Sequence, residues 1–219
     1  MAVITIDGPA SSGKGTVAKK VAGQLGFHYL DSGAIYRALG LMVINAQLKK
    51  NDIDAILNLI DKMKLSFTNN GRVILNSQDV TEIIRSENVG MMASDIAKIS
   101  EIRSKLHNFQ QGFNQPPGLV TDGRDMGSVI FPQAELKVFL TASVEKRASR
   151  RYSQLHKSSD SVTIAAILCD IMKRDKQDCE RSSSPLTYDH TFKVLDNTDL
   201  SIEETVQTII NWYNLSGKC

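Results

Sequence analysis

Residues 8–16 read Gly8-Pro9-Ala10-Ser11-Ser12-Gly13-Lys14-Gly15-Thr16, between the apolar run Val3-Ile4-Thr5-Ile6 and a stretch of helical periodicity. A glycine-rich loop where strand gives way to helix aims backbone N–H groups at an anion, because the first N–H groups of a helix have no partner within it. Gly8 and Gly13 let the backbone curl round phosphate oxygens, and Lys14 supplies a point charge for the β/γ-phosphates. Thr16 offers a hydroxyl to a magnesium ion. The general motif has Ser or Thr directly after the lysine; this chain has Gly15 there, so the hydroxyl is displaced by one position. The segment predicts a polyphosphate grip at the first strand of an α/β fold.

Outward from the loop, Val17, Val21 and Leu25 recur at helical spacing, and Gly26 is placed to close that helix in a left-handed cap. Phe27 to Leu30 reads as a second strand, and Ser32 is expected to cap the next helix, whose Ile35, Leu39, Met42 and Ala46 form an apolar stripe. Asp52 to Met63 repeats that pattern through Ile53, Ile56, Leu57 and Ile60. At Leu65 the period changes. Leu65 and Phe67 alternate with polar neighbours, Asn70-Gly71 is a tight-turn dipeptide, and Val73 and Leu75 resume the alternation, which predicts an inserted antiparallel hairpin.

Helical spacing returns around Val89, Met92 and Ile96, then around Ile102, Leu106 and Phe109, until Pro116-Pro117 stops it. Leu119 to Asp122, Leu136 to Leu140 and Phe192 to Leu195 read as buried strands. Between them lie helices over about 144–155 and 162–181, and Ser201 with Glu204 forms a capping box for the last helix. Strands alternating with helices imply an α/β fold with a parallel sheet covered on both faces. Its ligands gather at the carboxyl ends of the strands.

The 219 residues suit one such domain with embellishments, and a net charge of +2 does not announce nucleic acid or a membrane surface as partner. No signal-type leader and no bilayer-length apolar run is present, so a cytoplasmic location is expected. Cys169, Cys179 and Cys219 lack metal-ligand spacing and read as free thiols; His28, His107, His156 and His190 fall in no catalytic motif.

Three further clusters carry chemistry. Asp122 ends an apolar strand, where an acid approaches the magnesium shell of a phosphate-loop protein, through water or directly, and it opens Thr121-Asp122-Gly123-Arg124-Asp125-Met126-Gly127. An acid beside a cation on a cleft-facing loop suits recognition of a polar ring and a phosphate together. Arg147, Arg150 and Arg151 fall at i, i+3 and i+4 on one helix face, an arrangement that polyphosphate between them would relieve. Arg174, Asp178 and Arg181 share another face, which an intrahelical salt-bridge stripe explains equally well.

The displaced hydroxyl fits some nucleotide kinases better than most GTPases or motor ATPases, and no N-K-x-D guanine-reading tetrapeptide occurs. The phosphate loop, Leu30-Asp31-Ser32-Gly33-Ala34-Ile35-Tyr36-Arg37, the segment 121–127 and the Arg174–Arg181 face occur in the order and approximate spacing of bacterial cytidylate kinases, which the chain resembles over nearly its whole length. The resemblance implies an ATP-dependent kinase of CMP and dCMP that needs Mg²⁺. It also implies a phosphate-loop core over 1–62, 101–146 and 163–219, a monophosphate-binding insert over about 63–100 and a lid over about 147–162.

By the same resemblance Ser32 and Arg37 contact the acceptor nucleotide, with Arg37 on its phosphate, and Ser94, Arg103 and Asp125 read the cytosine ring. Arg124 and Arg174 are further phosphate ligands, Asp178 and Arg181 border the sugar, and Arg147, Arg150 and Arg151 belong to the lid that closes over the transferred phosphoryl group. Every arginine invoked can come from one chain, so a monomer is expected. A kinase of another monophosphate, AMP or UMP, and a nucleotide-binding switch remain the alternatives.

Overall fold

A computed structural model describes residues 1–68, 71–155, 163–180 and 184–216. Strand β1 (Ala2–Asp7) runs into the phosphate loop, followed by helix α1 (Lys14–Leu25), strand β2 (His28–Asp31) and helices α2 (Ser32–Asn45) and α3 (Ile53–Lys62). Three short strands, β3 (Leu65–Phe67), β4 (Val73–Leu75) and β5 (Gln78–Asp79), lead through a 3-10 turn at Ile83–Arg85 to helices α4 (Glu87–Ile96) and α5 (Ser100–Gln111). Strand β6 (Gly118–Gly123) enters a π-helical turn at Met126–Ile130. Then come strand β7 (Leu136–Thr141), helices α6 (Val144–Leu155) and α7 (Ile164–Glu180), strand β8 (Phe192–Asp196) and helix α8 (Ile202–Ser216).

The five long strands form a parallel sheet in the order β2-β6-β1-β7-β8. β1 has a neighbour on both sides, and alternate residues feed two different cores. Val3 and its partner Leu119 face the cluster built with Ile35, Leu39, Ile56, Ile102 and Leu106, whereas Ile4 and its partner Val120 face Val17, Val21, Val206 and Ile209. Each fully buried aliphatic side chain contributes about 1.5–3 kcal/mol, so helices on both faces are what keep a two-sided apolar strand in place. The chain order jumps from one side of β1 to the other, and the resulting crevice at the carboxyl ends of β1 and β6 is where such sheets take ligands.

Several expectations meet corrections of detail. The cap of α2 is Asp31, whose Oδ1 accepts from the Ala34 amide at 3.0 Å; Ser32 is the first helical residue. A carboxylate one residue earlier has the better reach to the orphan amides. α5 ends at Gln111, ahead of Pro116-Pro117, and the hairpin gains a third strand through β5, paired antiparallel with β4. Half of the Asn70-Gly71 turn lies outside the described residues, although β3 and β4 pair as the alternation predicted. Gly26 does close α1 in the left-handed region, at φ 67°, and Ser201 and Glu204 exchange the reciprocal bonds of a capping box.

Candidate active site

The phosphate loop touches the sheet so closely that only glycine fits at its first position. A Cβ on Gly8 would lie 2.1 Å from the carbonyl oxygen of Leu140 in β7. The loop then passes through two left-handed residues, Ser11 at φ 60° and Gly13 at φ 91°, and releases α1 with Gly13 as its cap. Lys14 lies over the loop, donating from Nζ to the Pro9 carbonyl at 3.2 Å. Thr16 sits two residues beyond Lys14 in the first turn of α1, exposed.

Three acids stand at the strand ends beside it. Asp7 is wholly buried at the end of β1 and accepts the Met126 and Gly127 amides at 2.9 and 2.8 Å. It thereby binds the loop-bearing strand to the π-helical turn after β6. Burial, only partly offset by those amides, pushes its carboxyl up to about 6. Asp31 and Asp122 are register partners on adjacent strands. Asp122 accepts a 2.6 Å bond from the Tyr29 hydroxyl, and its carboxyl is raised, first by burial and then by Asp31. The Lys14 ammonium is lowered by burial and by Arg124, while Asp122, Asp178 and Asp31 act in the other direction. Cations and anions therefore act on one another at the strand ends beside the loop.

Across the cleft, arginines from separate elements converge. Arg37 on α2 donates to the Ile84 carbonyl at 2.9 Å, which ties it to the inserted segment. Its guanidinium is lowered by burial and then by Arg174 on α7; Arg151 on α6 is lowered by the same two causes. Guanidiniums from three helices thus act on one another, with Asp31 offsetting the effect at Arg37 and Asp170 at Arg151. Arg124 forms a 2.6 Å pair with Asp178, which links the segment after β6 to α7. Asp170 holds Arg174 at 3.0 Å.

Arg103 on α5 and Asp125 form a buried ion pair, with side chains 8% and 10% exposed. Arg103 also donates to the Ala97 carbonyl and lies over the Tyr36 ring, while its buried Nε has no partner among the described residues. Ser32 is buried, and its hydroxyl lies 2.6 Å from where a Cβ on Gly123 would stand, so that glycine is what lets α2 approach the segment after β6. Ser94 lies exposed on α4. Arg181 lies outside the described residues, as does 156–162 of the expected lid.

The structure divides the arginine trio of α6. Arg147 is 6% exposed and donates to the carbonyls of Ala142 and Ala10 and to Asp175. Arg150 donates to the Ser12 carbonyl and to Asn197. Both bond to carbonyls of the phosphate loop, partners that the shared helix face did not announce, whereas Arg151 and Arg37 act on each other and both feel Arg174. A helical wheel cannot see this, because the loop folds back over α6 only once β7 is in the sheet. The same limit hid Tyr29, Asp7, Asp175 and Asn197. Asp7, immediately before the loop, carried the one usable signal, an acid closing an apolar strand.

The sequence profile of the cytidylate kinase family matches residues 4–215. The cytidylate kinase of Burkholderia thailandensis is 48% identical over 216 residues, covering 99% of this chain and 94% of the relative, and that of Burkholderia cenocepacia matches to the same extent. Among solved structures, a shikimate kinase from Bacteroides thetaiotaomicron aligns over 97% of this chain and 98% of its own at TM-score 0.50 and 10% identity. An uncharacterized protein from Eubacterium ventriosum aligns over 98% and 99% at TM-score 0.56 and 14% identity. At such identity these two speak for the fold alone, a parallel α/β kinase architecture. With a family profile spanning the chain and curated relatives near half-identical along its length, the chain belongs to the cytidylate kinase family.

Proposed function

We propose that the protein transfers the γ-phosphoryl group of ATP to CMP or dCMP, with the loop over Gly8, Pro9, Ala10, Ser11, Ser12, Gly13, Lys14, Gly15 and Thr16 holding the donor. The observation that carries this is the strand-loop-helix junction with Lys14 lying over the loop, in a chain that also sets Arg37, Arg151 and Arg174 on three helices with their charges acting on one another. Two anionic groups, one over the loop and one among the arginines, match a phosphoryl donor and a phosphate acceptor. Arg37, Arg124 and Arg174 hold the acceptor phosphate. Arg124 and Asp178, paired with each other at 2.6 Å, exchange that pairing for the phosphate and the sugar.

Arg103 and Asp125 support cytosine reading. The ring offers an amino donor and N3 and O2 acceptors, and the pair presents one carboxylate and the unpartnered Nε of a guanidinium. Ser32, Ser94 and Arg181 complete the acceptor site in this reading. The insert over about 63–100 closes on the acceptor through Arg37, and the lid over about 147–162 brings Arg151 toward the transferred group.

The acceptor phosphate is already nucleophilic, so the protein's task is alignment and charge neutralisation. Among the described residues no three His, Cys, Asp or Glu side chains could hold a metal ion together. Mg²⁺ would therefore arrive with the nucleotide, keep most of its water, and meet Asp122 and Thr16; that economy of protein ligands is normal for this ion. When bound, it supplies charge neutralisation on the β- and γ-phosphates. Lys14 holds the same oxygens from the loop side, and Arg151 and Arg124 flank the in-flight group and exclude water.

The test is a coupled assay with ATP and each of CMP, dCMP, UMP and AMP in turn. CMP and dCMP should give the highest kcat/KM, and preference for AMP or UMP would overturn the acceptor assignment.

A further inference from the structure

We propose that Asn197, together with Arg150, is a positioning clamp that orients the Gly13 amide of the phosphate loop toward the donor polyphosphate, a role that rests on the ATP-donor reading above. Asn197 lies in the connection between β8 and α8, far from the loop in sequence, and is 4% exposed. Its Nδ2 donates to the Ser12 carbonyl at 3.1 Å, and Nη1 of Arg150 donates to the same oxygen at 3.1 Å. Arg150 also donates to Oδ1 and to the carbonyl of Asn197, at 3.0 and 2.8 Å. The Asn197 amide in turn donates to the Thr141 carbonyl of β7 at 2.8 Å, and the Ser143 amide donates to Thr198 at 2.8 Å. The clamp is thus braced on the sheet rather than on the loop it holds.

The geometry of the peptide unit gives this arrangement its consequence. Carbonyl and N–H of one trans peptide point in opposite directions, so an oxygen held by two donors on one side aims the following amide to the other. Pinning the Ser12 carbonyl directs the Gly13 N–H away from α6 and the β8–α8 connection. Arg147 does the same two residues earlier, holding the Ala10 carbonyl at 3.1 Å and so directing the Ser11 N–H. Between the two pinned peptides lies Ser11 in the left-handed region, at φ 60°. A non-glycine residue there costs about 1–3 kcal/mol and persists only where its surroundings over-determine it. Clamps on the Ala10 carbonyl just before it and on the Ser12 carbonyl of the next residue are such surroundings. The loop is therefore set to receive an anion before one arrives, and no reorganisation is left for the moment of binding.

The experiment compares wild type, Asn197→Ala and Asn197→Asp by steady-state kinetics with ATP and CMP varied separately, and by calorimetric binding of inorganic tripolyphosphate. Asn197→Asp keeps the side chain's shape and its bond from Arg150, but sets an oxygen against the Ser12 carbonyl. It carries the test alone should Asn197→Ala fail to fold. The expected result is a rise of about tenfold in the KM for ATP and in the Kd for tripolyphosphate, with the KM for CMP near the wild-type value. An Arg150→Met/Asn197→Ala double variant should lose less than the product of the single losses, since both side chains serve one carbonyl. Folded variants with an unchanged KM for ATP, or with ATP and CMP affected alike, overturn the clamp. Failure of the wild type to turn over ATP with CMP overturns the functional reading instead, so the two are separable.

Discussion

Replacing Asp7 with Asn should change the stability of the protein by an amount that depends on pH. Asp7 is wholly buried, and burial is the main reason its carboxyl rises from the ordinary 3.8 to about 6. That gap corresponds to about 3 kcal/mol. The folded chain binds the proton more tightly than the unfolded one does. The contribution is therefore fully present below about pH 4 and is lost as the pH rises through 6. Asn does not titrate and lacks this term at every pH. It also faces the Met126 and Gly127 amides with one acceptor and one NH₂ group, and so orphans one of two bonds of 2.9 and 2.8 Å. An unsatisfied buried amide costs about 1–3 kcal/mol, a sum that does not vary with pH. The gap between variant and wild type should therefore widen by about 2.5 kcal/mol from pH 7.5 to pH 4. The single tryptophan, Trp212, packs against the core on the α1–α8 face and reports urea unfolding by fluorescence. A stability difference that stays constant across this range refutes the assignment of the proton to Asp7.

Three other outcomes follow from the site. Lys14→Ala should abolish most turnover while calorimetric CMP affinity stays near wild type, because the ammonium sits over the donor loop; a folded variant with normal turnover sinks the mechanism. Asp125→Ala breaks the buried pair with Arg103, lowering the melting free energy by about 3–5 kcal/mol, and should erode the ratio of kcat/KM for CMP over UMP. An unchanged ratio ends its role in base reading. Gly8→Ala places a methyl group 2.1 Å from the Leu140 carbonyl oxygen and should cost about 3 kcal/mol in urea unfolding along with loss of ATP binding; wild-type stability would show that the loop can shift off β7.

Much of the architecture was legible because it is written in local periods. The strand before the loop, the helix that follows, the change to alternation at Leu65 and the capping box at Ser201 each depend on residues within a few positions of one another. Misplaced details share one cause, competition between neighbours that only geometry settles. Asp31 and Ser32 are both good caps, and the chain's exit from β2 brings the carboxylate of Asp31, not the Ser32 hydroxyl, to the Ala34 amide. The two-residue strand β5 is too short to show any period at all.

The site divides along the same line. Residues 8–16 by themselves determined the loop at the end of the first strand and the expectation of a polyphosphate there, since glycines, lysine and a strand-to-helix junction suffice for that expectation. Which arginines bond to the loop was decided only by tertiary structure. Arg147, Arg150 and Arg151 are neighbours on one helix, and no sequence spacing distinguishes them. β7 and β8 bring the Ala10 and Ser12 carbonyls and Asn197 to the first two, and α2 and α7 bring Arg37 and Arg174 toward the third. Partners as far as 138 residues away along the chain fix the bonds of Arg147 and Arg150, because a guanidinium acts on whatever the fold places within hydrogen-bonding reach.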